Sequence, residues 1–229
     1  MIDTMDELSA ALADAQARRC TDIRLEFTPA LTARVTDAAL REALVTGLPM
    51  VQGILHRILR SRGRGAVLTA KLRYRQGVRM LDLYRGSRRW VLTNEESFGL
   101  ADACDAVMAV LPLGDEQARF DFLYDLVCRR ITYVHTAPGR KGYERLVGAA
   151  SVLKDGKANC QGFADLLYLL CGICGIEAEY CCCQGTKHLH VRNRVRLNGQ
   201  WRDVDASKGS RSRAEKHRID IFPTNLGSK

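Results

Sequence analysis

Hydrophobic and polar positions change period several times along the chain, and each change predicts an element. Thr4-Met5-Asp6-Glu7 has the spacing of a capping box, and the alanine-rich stretch up to Arg19 continues at a helical period, so a first helix is expected there. Ile23, Leu25 and Phe27 alternate with charged residues, the mark of a half-buried strand. Residues 37–61 return to helical spacing, interrupted near Gly47-Leu48-Pro49. Residues 66–74 and 78–84 flank Gln76-Gly77 and alternate again, which predicts a hairpin carrying many of the central arginines. Two helices are then expected over 97–113 and 115–132, the second with Phe120, Leu123, Tyr124, Val127 and Ile131 at core spacing.

Beyond a loop over 135–146, Asn159 is a favoured N-cap for a helix in which Phe163, Leu166, Leu167, Leu170 and Ile173 are apolar and Asp165 is the single charge. Such a helix belongs at the centre of a domain. Strands follow near 176–183, 188–197 and 200–205. The fold class is therefore α+β: a small N-terminal α+β module over 1–96, then a second domain over 97–229 whose apolar helix packs on an antiparallel sheet. The nearest thing to a linker between them is Arg85 to Glu96.

Composition narrows the function classes. No run of eighteen apolar residues appears, and the first twenty residues lack the basic-then-apolar order of a signal peptide, so a cytoplasmic protein with no membrane contact is expected. Nine cysteines, five of them between Cys171 and Cys183, do not form a disulfide framework and fit a reducing compartment. Cys171-Gly172-Ile173-Cys174 has zinc or redox spacing but lacks the second ligand pair, so core packing is the better reading and no metal or cofactor is called for. The net charge of +9 is concentrated in two zones, +6 over 61–100 and +5 over 151–229. Neither zone carries a docking motif or a stacking aromatic strand, so nucleic acid is not expected as a partner; a basic face that steers acidic substrates is the simpler account.

The chemistry lies in two short segments. In Asn159-Cys160-Gln161-Gly162 a thiol opens the apolar helix, where unsatisfied N–H groups and the positive end of the helix dipole favour thiolate and offer themselves to an oxyanion. Lys157 adds positive potential. Thirty residues on, Asn198-Gly199 predicts a type I′ turn that pairs 197 with 200 and fixes the register of the two strands. Asp205 then falls opposite Arg192 with His190 diagonal to it, whereas Asp203 faces Arg194 and His188 is two residues too far. Cys160, His190 and Asp205 read as nucleophile, base and orienter.

These residues resemble the transglutaminase-like superfamily of papain-type thiol enzymes. The likeness runs from about Arg129 to Ser207 and rests on Cys-x-Gly-Phe-Ala at 160–164 and His-x-x-Asn-x-Val-x-Leu-x-Gly-x-Trp-x-x-Val-Asp at 190–205. It implies a papain-like layout and acyl transfer on amide bonds through a thioester, with Cys160, His190 and Asp205 in the roles just named. Gln161, Asn193, Trp201 and Arg192 are the supporting positions: Asn193 as an edge hydrogen-bonder, Trp201 as a core aromatic beneath the site, and Arg192 as a departure from the usual aromatic that would compete for Asp205. A second departure is Asp205-Ala206-Ser207 in place of Asp-Pro-Thr. The partner implied is a protein or peptide substrate. A cysteine peptidase or amidase is the leading expectation for a chain of this size; a crosslinking transglutaminase and a catalytically silent binding module are the alternatives.

Overall fold

The computed structural model describes residues 1–61, 63–184 and 189–210, and the side chains of all of these except 183, 184 and 189. The chain begins with α1 (Met5–Ala17), β1 (Asp22–Phe27), α2 (Pro29–Arg34) and α3 (Asp37–Gly47), followed by β2 (Val51–Ser61) and β3 (Gly65–Tyr74). Four more helices and a short strand pair come next: α4 (Gln76–Tyr84), α5 (Asn94–Met108), α6 (Glu116–Arg130), β4 (Thr132–Tyr133), α7 (Ala149–Asp155) and β5 (Lys157–Ala158). The chain then enters α8 (Cys160–Ile173) and finishes its sheet with β6 (Glu177–Gln184), β7 (Leu189–Leu197) and β8 (Gln200–Val204).

Two three-stranded antiparallel sheets result, ordered β1-β3-β2 and β6-β7-β8, with β4 and β5 as a parallel pair. The fold is α+β. Its centre is α8, buried along nearly its whole length and packed against α4, α5, α6 and α7 on one side and β6 and β7 on the other. A helix with so little polar surface is stable only where every face finds a partner.

Two segments differ from the sequence expectation. Residues 51–61 are a strand, although Val51, Ile54, Leu55, Ile58 and Leu59 have helical spacing. Pairing with β3 overrides that period, at the cost of leaving Leu55 and Leu59 in solvent, 75% and 52% exposed. Residues 76–84 are a helix and not the second arm of a hairpin; the true hairpin is β2–β3. The reason is non-local. The Asp165 carboxylate, 88 residues further on, accepts the Gly77 N–H at 2.9 Å and so caps the start of α4, while Val78, Met80 and Leu81 are buried. Asp165 also accepts the Ala149 N–H at the start of α7 (2.8 Å) and the Tyr180 hydroxyl (2.7 Å). The one charge on the apolar helix thus ties two helix starts and a strand to it.

Candidate active site

Cys160 is the first residue of α8 and half-buried. The N-cap is Asn159, whose Oδ1 accepts the N–H groups of Gln161 (2.9 Å) and Gly162 (3.3 Å). Those two donors of the first turn are therefore engaged by the cap.

The two strands that bring His190 and Asp205 together are set by their turn. Asn198 and Gly199 both have positive φ (51° and 79°), as a type I′ turn requires, and Leu197 pairs with Gln200, Arg194 with Asp203 and Asn193 with Val204. The ladder stops at Val204, so Asp205 is not paired with Arg192. It caps a helical turn over 206–210 instead: its carbonyl accepts Lys208 N–H and Gly209 N–H, and its Oδ1 accepts Lys208 N–H at 3.2 Å and the Ser207 hydroxyl at 2.6 Å. Ser207, in the position of the departure from Asp-Pro-Thr, thereby orients the carboxylate. Tyr124 donates its hydroxyl to the Asp205 carbonyl at 3.1 Å. The other oxygen, Oδ2, meets His190 Nε2 at 2.8 Å. The same imidazole is hydrogen-bonded to the Cys160 thiol.

The electrostatics follow from these contacts. Burial alone would raise the Cys160 thiol, but the hydrogen bond from His190, the Val191 and Gln161 N–H groups and the His190 charge outweigh it, and the thiol is held below its ordinary value. Lys157 is exposed on β5. His190 is pushed up to about 10, first by its hydrogen bond to Asp205, then by that to Cys160. Burial would raise Asp205, yet His190, Ser207 and Lys208 bring it down to about 2. The His190 displacement is the larger because the imidazolium faces two anions, whereas at Asp205 burial works against the same contact. Among the other cysteines, burial pushes Cys171, Cys174, Cys104 and Cys181 up.

The supporting positions fall in different places. Gln161 lies at the site: its Nε2 donates to Tyr143 Oη at 2.5 Å, and its Oε1 accepts from Arg75 at 3.3 Å. Asn193 is not at an edge. It sits buried on the middle strand of its sheet and donates to the carbonyls of Ala164 in α8 (3.1 Å) and Glu179 in β6 (3.3 Å), holding helix and strand in register. Arg192 does not compete for Asp205; it pairs with Asp203 at 3.1 Å, because both side chains leave the outer face of the sheet. Trp201 is no core residue. It shares that outer face, 38% exposed, with its ring 5.2 Å beneath the Arg194 guanidinium, because alternation that buries Asn193 and Val195 turns its register partner Arg196 outward. His188 lies outside the described residues.

Sequence reading missed Arg75 and Tyr143. Arg75 is buried although charged, bonded to the Pro49 carbonyl at 2.8 Å and lying over the Tyr180 ring, so it joins the N-terminal sheet to Gln161 beside the thiol. Nothing local distinguished it from the arginines around it. Cys160 and His190 open onto a cleft of about 920 Å³ whose far wall is built by α3, β2 and β3.

The geometry agrees with a family match: residues 109–206 match the profile of the transglutaminase-like superfamily. A search of the curated proteins finds no match. Among solved structures, the chain is similar to the crystal structure of a TGase at 13% identity and a TM-score of 0.41, covering 90% of this chain and 54% of the other. A candidate cysteine protease from Cytophaga hutchinsonii follows at 14% identity and TM-score 0.40, covering 70% and 63%. A candidate protease from Parabacteroides distasonis stands at 9% and 0.36, covering 81% and 40%. The chain thus spans little more than half the length of that TGase. Cys160, His190 and Asp205 all lie inside the transglutaminase-like match. Among the described residues, no helix is long and apolar enough to cross a membrane.

Proposed function

We propose that the chain is a thiol-dependent amide hydrolase, a peptidase or amidase, in which Cys160 forms a thioester with the acyl part of its substrate. The observation that carries this reading is a single imidazole engaged on both sides, by Asp205 at 2.8 Å and by the sulfur of a cysteine whose pKa is lowered, at the mouth of an open cleft. The Cys160 thiolate attacks the amide carbonyl and a C–S bond forms. As the C–N bond breaks, His190 gives its proton to the leaving amine while Asp205 holds the ring by Nε2. Water, losing a proton to His190, then attacks the thioester, releases the acid and restores the thiolate.

Iodoacetamide tests the reading. Cys160 should be alkylated ahead of the other eight cysteines at neutral pH, and His190→Ala should remove that preference; even labelling of several cysteines, unchanged in the variant, would refute the proposal. With casein and a fluorescent amine, chain cleavage or ammonia release without incorporation is expected. Incorporation of the amine would assign the chain to crosslinking.

A further inference from the structure

The wall facing Cys160 carries a pattern of its own. On α3, Arg41 and Val45 lie four residues apart and line the cleft, with Leu44 and the C-cap Leu48 buried behind them and Ile54 of β2 adding a second partly exposed apolar group. Across from it, Arg73 reaches the same cleft from β3. Glu144 is the only carboxylate among the described lining residues.

The two cations differ from Arg75 in availability. Arg75 is buried and committed to Pro49 and Gln161. Arg41 is exposed and makes no ion pair or hydrogen bond among the described residues. Arg73 meets Glu144 at 3.4 Å, with both side chains more than 60% exposed, a pair weak enough for an incoming carboxylate to displace. Low-dielectric walls concentrate the field of such charges within a cleft.

We propose that the cleft selects acyl donors carrying a carboxylate beside an apolar residue, the apolar group lying on Val45 and Ile54 and the carboxylate read by Arg41 and Arg73. The inference rests on the acyl-transfer reading of Cys160 and adds its substrate class. The carboxylate has two sources, an acidic side chain or a free chain terminus, with the same chemistry. Arg41 and Arg73 are specificity determinants and take no part in the bond-breaking steps.

The test is protection of Cys160 from iodoacetamide by N-acetylated, C-amidated tripeptides Leu-Glu-Leu, Leu-Gln-Leu and Leu-Lys-Leu, with N-acetylated Leu-Gln-Leu bearing a free C-terminus as a fourth arm. Leu-Glu-Leu should protect at concentrations about three- to tenfold lower than Leu-Gln-Leu, as one or two partly exposed ion pairs allow. Raising the salt concentration should shrink that ratio. Protection by the fourth peptide as good as that by Leu-Glu-Leu would assign recognition to carboxylates of either source; protection by Leu-Glu-Leu alone would assign it to the side chain. The double change Arg41→Glu and Arg73→Glu should make Leu-Lys-Leu the best protector, and Arg41→Gln, which keeps the Arg73–Glu144 pair, should reduce the preference without reversing it. Selective labelling of Cys160 with equal protection by all four peptides would overturn this inference alone. Absence of selective labelling in the unaltered protein would overturn the acyl-transfer reading and this inference with it.

Discussion

Replacing Asp205 by asparagine removes one charge and little shape. The carboxylate uses both oxygens, Oδ2 for His190 Nε2 and Oδ1 for the Ser207 hydroxyl and the Lys208 N–H, whereas asparagine has one acceptor, so the change removes a charge and one set of acceptor contacts. Asp205 stands at about 2 in place of its ordinary 3.8, and His190, Ser207 and Lys208 share in that displacement. Burial works against these contacts, so the net displacement sets no ceiling on the His190 contact, and screening at this partly exposed pair leaves it worth about 1 kcal/mol. Coupling between two titrating groups is mutual, so His190 should fall from about 10 toward its ordinary value, with the Cys160 contact still holding it above that value. The imidazolium is then less firmly held, and thiolate formation at Cys160 moves to higher pH. Nuclear magnetic resonance of ring-labelled histidines follows His190 directly, with His190→Ala supplying the assignment; iodoacetamide rates at pH 6 follow the thiolate. The signs for stability are opposite for the two partners. Asp205, depressed, stabilises the fold above about pH 4 and loses that contribution as pH falls through about 2; His190, raised, stabilises it below about 6.5 and loses the contribution as pH rises through about 10. Unfolding in urea at pH 5 should thus show the asparagine variant weakened by about 1 kcal/mol, with the difference shrinking toward pH 2. Identical His190 titrations in the two proteins, or titration of the unaltered protein near 6.5, would refute the reasoning.

Asn193→Ala removes both side-chain hydrogen bonds that tie α8 and β6 together; urea unfolding should show a loss of about 1–3 kcal/mol, and Cys160 alkylation should slow as the sulfur loses its register with His190. Gly77→Ala places a methyl group 2.6 Å from the Asp165 carbonyl oxygen, where backbone must shift, and should cost about 1–3 kcal/mol by thermal unfolding. Trp201→Ala should lose only about 0.5–1 kcal/mol, the worth of an exposed cation–π contact with Arg194, and leave the alkylation rate of Cys160 unchanged. A large rate effect there would place the ring at the site, contrary to the geometry.

The amino-acid sequence by itself determined the elements whose causes are local. Thr4 caps α1, Asn159 caps α8, and Asn198-Gly199 sets the β7–β8 register, because a cap or a two-residue turn acts over a few residues and its side chains announce it. That turn sets the register as far as Val204, while Asp205 meets His190 from beyond the ladder, placed by the helical turn over 206–210. Only the tertiary structure decided that residues 76–84 are a helix, because the carboxylate that caps them lies on α8. It also decided that 51–61 is a strand, since the partner β3 outweighs a helical period. Arg75 and Tyr143 beside Gln161, and Arg41 and Arg73 facing Cys160, belong to the site through packing between segments some 20 to 120 residues apart. Periodicity tells which side of an element avoids water; which other element covers it depends on distant partners, and here that choice built the cleft.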